Sequence, residues 1–255
     1  MKTIIAAILD LSETSRMTQL ICCIENVISI DEPLEKAAEL SGTVLDSASA
    51  VALEMALQWK EQFGFSLTAI AAGPEEVIHP LRHCLALGVD KAIHIPCDTP
   101  DYRVRWEAIG QAVQQAQDAI ILCAAIHGDL QRRDGPARLA QTCGCAYLPN
   151  AVQADLEGKR LTAICRVDQE ELCLAADLPA VIAVHPSMTT PRLPRLSQIL
   201  RAKKMEIATL EIAIPEPLEI HAGFFLTKRN RRPILLNAND PTAVDEFVRQ
   251  LKQAL

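Results

Sequence analysis

The stretch Leu67 to Ile95, LTAIAAGPEEVIHPLRHCLALGVDKAIHI, reads as one complete strand, helix, strand unit. Leu67 to Ala72 is apolar but for Thr68, the pattern of a strand buried on both faces, and Gly73-Pro74 ends it. Val77, Leu81, Cys84, Leu85 and Leu87 then recur at spacings that share one helical face. Glu75 and Glu76 stand in the first turn, where carboxylates suit the positive end of the helix dipole. Gly88 tolerates the left-handed backbone that closes a helix, and Ala92 to Ile95 resumes as a short strand. A βαβ unit of this kind sets its two strands parallel, with a right-handed crossover.

The pattern extends in both directions. Ile4 to Leu9 reads as the first, central strand, and Ile21 to Ile30 as a strand or hairpin. Ser49 to Phe63 reads as a helix with Val51, Met55 or Leu57, and Trp59 on one face and Ser49 as its N-cap. Asp101 to Gln117 is an amphipathic helix and Ala119 to Ala124 a buried strand. After the loop Ala125 to Gly135, Pro136 opens a helix through Cys143, since the missing N–H of proline has no partner in a first turn. Ala151 to Leu174 alternates as two antiparallel strands would, and Val181 to Val184 adds one more strand. The expected fold class is α/β: a mostly parallel, Rossmann-like sheet with helices on both faces, an antiparallel extension and a C-terminal docking arm. That arm begins with a Pro- and Arg-containing loop, the short helix Leu196 to Ala202 and an irregular stretch to Asn230. It ends in a helix, Ala243 to Leu255, with Val244, Phe247, Val248 and Leu251 on one face.

Composition narrows the function classes. A formal charge of −7, from 32 acids against 25 bases, excludes nucleic acid as the main partner, because phosphate binding needs a dense basic surface. No apolar run approaches the roughly 20 residues that span a bilayer, and the N-terminal run is short for a signal peptide, so a soluble, cytoplasmic protein is expected. The nine cysteines include no Cys-x-x-Cys, and Cys143-Gly144-Cys145 lacks neighbouring ligands, so reduced thiols and no metal are expected.

Ligands of an open parallel sheet bind at the carboxyl ends of its strands. Three such ends converge: Ala6 to Leu9, Ala72-Gly73, and Ala125 to Gly135. In the last, AIHGDLQRRDGP, Gly128 and Gly135 flank a polar segment before a helix N-terminus, where free N–H groups favour a phosphate. Arg132 and Arg133 offer charge-assisted contacts. A solvated surface loop is the competing reading.

Gly73-Pro74, Leu81-Arg82, Ala86-Leu87-Gly88, Asp90 and Ala92-Ile93 are spaced as in the β subunits of electron transfer flavoproteins. Leu178 to Lys204, LPAVIAVHPSMTTPRLPRLSQILRAKK, is similar to the same family in the order LPAV, PR, L, IL and AKK. This resemblance implies a heterodimer with an electron transfer flavoprotein α subunit, which carries most contacts to a shared FAD. It implies an electron carrier rather than an enzyme, taking electrons from acyl-CoA or other flavin dehydrogenases. AMP, or a second FAD, would lie in this chain against Ala6, Asp46, Ser49, Ala72, Gly73, Gly128, Asp129, Arg132, Arg133, Gly135 and Pro136. His127 and Arg133-Asp134 depart from the family's usual loop, and Asp46 to Ser49 lacks its proline. Partner recognition would fall on Pro191, Arg192, Leu196, Ile199, Lys203 and Lys204, with Leu196 either an exposed anchor or a buried first-turn residue. The domains implied are 1–187, a nucleotide-binding-like α/β domain, and 188–255, the recognition loop and docking segment. The alternatives are a degenerate subunit without nucleotide and a stand-alone adenine-nucleotide-binding protein. ILDLSETS lacks the glycines that a phosphate loop after a first strand needs.

Overall fold

A central strand, β1 (Gln19–Cys23), lies hydrogen-bonded between two parallel neighbours, β4 (Ser66–Gly73) and β6 (Ala119–Ala124). The computed structural model describes residues 18–28, 43–99, 101–128, 132–214, 216, 236, 237 and 240–254. The run Ile4 to Leu9, expected to be the central strand, lies outside the described residues, and Gln19–Cys23 holds that place instead. The physical basis is plain in the burial: Leu20, Ile21, Cys22 and Cys23 are all buried, and each face of the sheet takes alternate members.

The remaining elements follow in chain order. They are β2 (Asn26–Ile28), β3 (Thr43–Leu45), α1 (Ser47–Phe63), β4, a 3-10 turn (Glu75–Val77), α2 (Ile78–Leu87), β5 (Lys91–Pro96), α3 (Tyr102–Val113), β6 and α4 (Gly135–Cys143). Then come β7 (Ala146–Glu157), β8 (Arg160–Val167), β9 (Glu170–Asp177), β10 (Ala180–Val184), α5 (Leu196–Ala202), β11 (Ala208–Thr209) and α6 (Ala243–Ala254). The main sheet runs β11-β5-β4-β1-β6-β10-β7-β8-β9, and β2 pairs β3 in a small antiparallel ribbon. From β11 to β7 every pairing is parallel; β7, β8 and β9 form an antiparallel meander. The segment expected as two antiparallel strands is thus three, and the first begins at Ala146, where its start pairs parallel with β10. Those opening residues pair as a core strand does, so alternation marks only the half-buried remainder.

Both faces of the sheet are covered. Leu20, Cys22, Leu67, Ala69, Ile120 and Leu122 point toward α1 and α2, while Ile21, Cys23, Ile70, Ile121 and Val181 point toward α3 and α4. Asp46, not Ser49, caps α1: its side chain accepts from the Ser49 N–H at 3.0 Å, and Ser49 lies inside the first turn. Gly88 closes α2 with φ of 112°, as its position predicts. The chain falls into two compact units, 1–221 and 222–255, and in the second α6 exposes Val244, Phe247, Val248 and Leu251.

Leu20→Ala should cost about 2–5 kcal/mol in a urea unfolding titration, the range for a truncation in a closed core. Leu193→Ala, at a residue 86% exposed, should shift stability by no more than about 0.5 kcal/mol. Equal losses would contradict the central place of β1.

Candidate functional site

The strand order reverses direction at β1, with β4 and β5 to one side and β6 and β10 to the other, so a crevice opens at its carboxyl end. The residues there are Ile24, Glu25 and Asn26 after β1, Ala72 at the end of β4, and Ala125 to Gly128 after β6. From α3, Tyr102, Arg105, Trp106 and Ile109 close over them.

Glu25 is the centre of this cluster. Its backbone N–H donates to Ser49 Oγ at 3.2 Å and its carbonyl accepts from the Asp46 N–H at 3.0 Å, so the β2–β3 ribbon and the start of α1 fix its position. Its side chain is only 10% exposed. The Tyr102 hydroxyl and Trp106 indole N–H are directed at the carboxyl, and His127 Nε2 lies 4.0 Å from Oε1, beyond hydrogen-bond distance. Oε2 is the one buried side-chain polar atom without a hydrogen-bond partner among the described residues. Burial, chiefly, and the nearby Asp46 push the Glu25 acid up to about 8, against the opposing effects of Tyr102, Trp106 and Arg105.

Around it, Asp46 is buried and its acid is likewise raised by burial, although N–H groups of Ser49, Gly128 and Ala48 and the His127 ring oppose the shift. Gly128 is required here, since a Cβ would overlap Asp46 Oδ1. The His127 ring meets Tyr102 edge-on at 5.6 Å, and the Arg132 guanidinium lies 5.3 Å from the centre of the Tyr102 ring. The His127 N–H donates to the Arg132 carbonyl at 2.9 Å, closing the loop on itself. Gly135 and Pro136 are buried at the start of α4 against Trp106, whereas Arg133 is exposed. Ala72 is buried, and the Gly73 carbonyl is bonded to the His94 ring at 2.9 Å and to the Cys97 N–H at 3.0 Å. Ala6 and Asp129 lie outside the described residues.

The structure therefore gathers Asp46, Ser49, Ala72, Gly128, Arg132, Gly135 and Pro136 at one crevice. Sequence reasoning missed Glu25, Tyr102 and Trp106. The signal for Glu25 is a carboxylate directly after a run of five buried residues; Tyr102 and Trp106 carry none, being two aromatics on an otherwise ordinary helix face.

A second site lies at Pro191 to Lys204. Arg192 donates from Nε to Glu54 Oε2 at 2.8 Å and from Nη2 to Glu54 Oε1 at 2.9 Å, and it also pairs with Glu61. Burial alone would raise the Glu54 acid, but the Arg192 hydrogen bonds outweigh it and hold the carboxylate below its ordinary value. At the far end, Arg82 donates to the carbonyls of Ala202, at 2.9 Å, and Met205. Between these tethers Leu193, Leu196, Ile199 and Leu200 are exposed, Leu196 by 72%, which decides against a buried first-turn role. Lys203 and Lys204 are exposed beside them.

Glu25→Gln isolates the buried acid. A raised acid contributes stability that is fully present below the unfolded value near 4.5 and is lost as pH rises toward 8. In urea unfolding titrations, the stability of Glu25→Gln relative to the parent should therefore grow from pH 5 to pH 8, by about 1.4 kcal/mol for every tenfold fall in proton concentration. A difference that stays constant with pH would show that the carboxyl ionises as it does in water.

The comparisons with known proteins agree with this geometry. Residues 36–215 match the family model for the electron transfer flavoprotein domain. The chain is 30% identical over 189 residues to the electron transfer flavoprotein subunit beta of Mycobacterium bovis, covering 69% of each chain. It is 29% identical over 175 residues to that of Syntrophomonas wolfei, covering 68% of this chain and 69% of the relative. The match to that of Thermoanaerobacterium thermosaccharolyticum, at 25% identity, extends over 90% of both. The chain belongs to the electron transfer flavoprotein family, as one of its β subunits.

Proposed function

We propose that this chain is the β half of a cytoplasmic heterodimer that relays electrons from acyl-CoA or other flavin dehydrogenases to a downstream acceptor. The observation that carries the reading is the tethered apolar arm: four exposed aliphatic side chains held between two arginine anchors. An aliphatic cluster on a fixed backbone fills a partner pocket without first losing loop entropy. Arg195, Arg201, Lys203 and Lys204, all exposed around it, steer encounter with an acidic partner. The apolar stripe of α6 is a face of the kind an α subunit covers.

A redox FAD, held chiefly by the α subunit, supplies the electron chemistry when bound. This chain supplies a wall and the recognition arm, and performs no catalysis by itself. Among the described residues no helix is long and apolar enough to cross a membrane. The stand-alone nucleotide-binding reading is not favoured, because the relatives are subunits by name over most of their length.

Leu193→Ala with Leu196→Ala should lower the kcat/KM for reduction by a dehydrogenase about tenfold or more, with flavin content and heterodimer assembly unchanged. Unchanged transfer would remove the recognition role of the arm. Deletion of residues 243–255 should abolish co-purification with a co-expressed α subunit, and retention of the complex would show that α6 is not the docking face.

A further inference from the structure

We propose that the crevice at the end of β1 takes no nucleotide and is filled from within by Glu25, Tyr102 and Trp106. The inference rests on the β-subunit reading only for the expectation that a phosphate would sit at this loop. Three observations carry it.

The N-terminus of α4 is the phosphate-type cradle of the sequence, and the Trp106 indole lies on it. A Cβ on Gly135 would overlap both Cε2 and Nε1 of Trp106, so glycine is needed for the indole rather than for a ligand. Trp106 is itself buried, 1% exposed. The indole thus occupies space that a phosphate would need to reach the first N–H groups of the helix.

Charge points the same way. The Asp46 carboxyl lies against Gly128 in the crevice, and an incoming phosphate would add negative charge beside it. Of the basic groups, Arg132 lies over the Tyr102 ring, Arg105 Nε donates to the Thr99 carbonyl at 3.0 Å, and Arg133 faces solvent.

The space that remains is about 20 Å³, about enough for one water. The described residues therefore do not fit AMP or a second FAD: Gly128 and Gly135 serve close packing, Arg132 lies over the Tyr102 ring, and Arg133 faces solvent.

The test is the nucleotide content of the heterodimer. The complex with its α subunit is purified and denatured, and released FAD and AMP are quantified by chromatography with mass detection. The expected result is near-stoichiometric FAD with AMP at background, and no rise in Tm when AMP is added. Stoichiometric AMP, or FAD at two per heterodimer, would overturn the proposal while leaving the β-subunit reading intact. Failure to form a complex or hold FAD would overturn that reading instead, and the AMP thermal shift on the chain alone would still decide the crevice. Trp106→Ala combined with Glu25→Gln removes the cover and the acid, and should gain an AMP-dependent rise in Tm that the parent lacks. A folded double variant blind to AMP would show that these side chains are not the block. Should the variant not fold, the parent stoichiometry decides alone.

Discussion

The parallel pairing of Gln19–Cys23 between Ser66–Gly73 and Ala119–Ala124 is the constraint on which the rest depends. It fixes the register of Leu20 against Leu67 and Ile120, so each face of the sheet receives a continuous apolar layer. A slip of one residue would turn Leu20 and Cys22 from the α1 side to the α3 side and break both layers together. The same pairing delivers Glu25 to the reversal point of the sheet. There the Ser49 hydroxyl and the Asp46 N–H hold its backbone, and α3 covers its side chain. One strand thus sets both the core and the chemistry of the crevice.

That crevice is high in local cost and correspondingly well tied. A neutral acid, a capping carboxylate and two aromatics are buried together, and an unpaired buried carboxylate would be far more expensive than a protonated one. Raising the Glu25 acid to about 8 is how the fold accommodates it. The Asp46 acid is raised by burial as well, with N–H groups of Ser49, Gly128 and Ala48 partly offsetting the shift. The close approach that this requires explains the glycine at 128, just as the indole explains the glycine at 135. Glycines that read as a phosphate loop in the sequence therefore have packing reasons in the fold.

The parts of the fold legible in the sequence are those whose burial is one-sided or complete over a whole element. Leu67 to Ile95 shows this best: an apolar run interrupted only by Thr68, a helical stripe and Gly88 each have a single interpretation. Ile4 to Leu9 and Ile21 to Ile30 are ambiguous because two apolar runs compete for one place in the sheet, and composition alone does not rank them. The order of residues in the arm 191–204 leaves Leu196 open between exposed and buried, and nothing in that order sets apart Leu193, which is more exposed than Leu196. Arg192 reads as one more partner-facing charge, and only the approach of Glu54, 138 positions away, assigns it to the arm's own anchoring. Long-range pairs of this kind leave no periodic trace.

The anchoring bears on the docking role proposed for the arm. A surface loop of mixed Pro, Arg and Leu would ordinarily be loose, and ordering it on encounter would weaken binding by the entropy of each side chain fixed. Two carbonyl acceptors at the end of α5 are bonded by Arg82, and Glu54 receives Arg192 in a two-point grip. Gln198 Oε1 accepts from the Arg195 N–H at 2.7 Å and secures the first turn of α5. The grip of Arg192 is paired and part-buried, so it is less screened by salt than a surface contact. Charges that hold the arm are thus distinct from the exposed ones that face outward, and added salt should act on encounter before it acts on the shape of the arm.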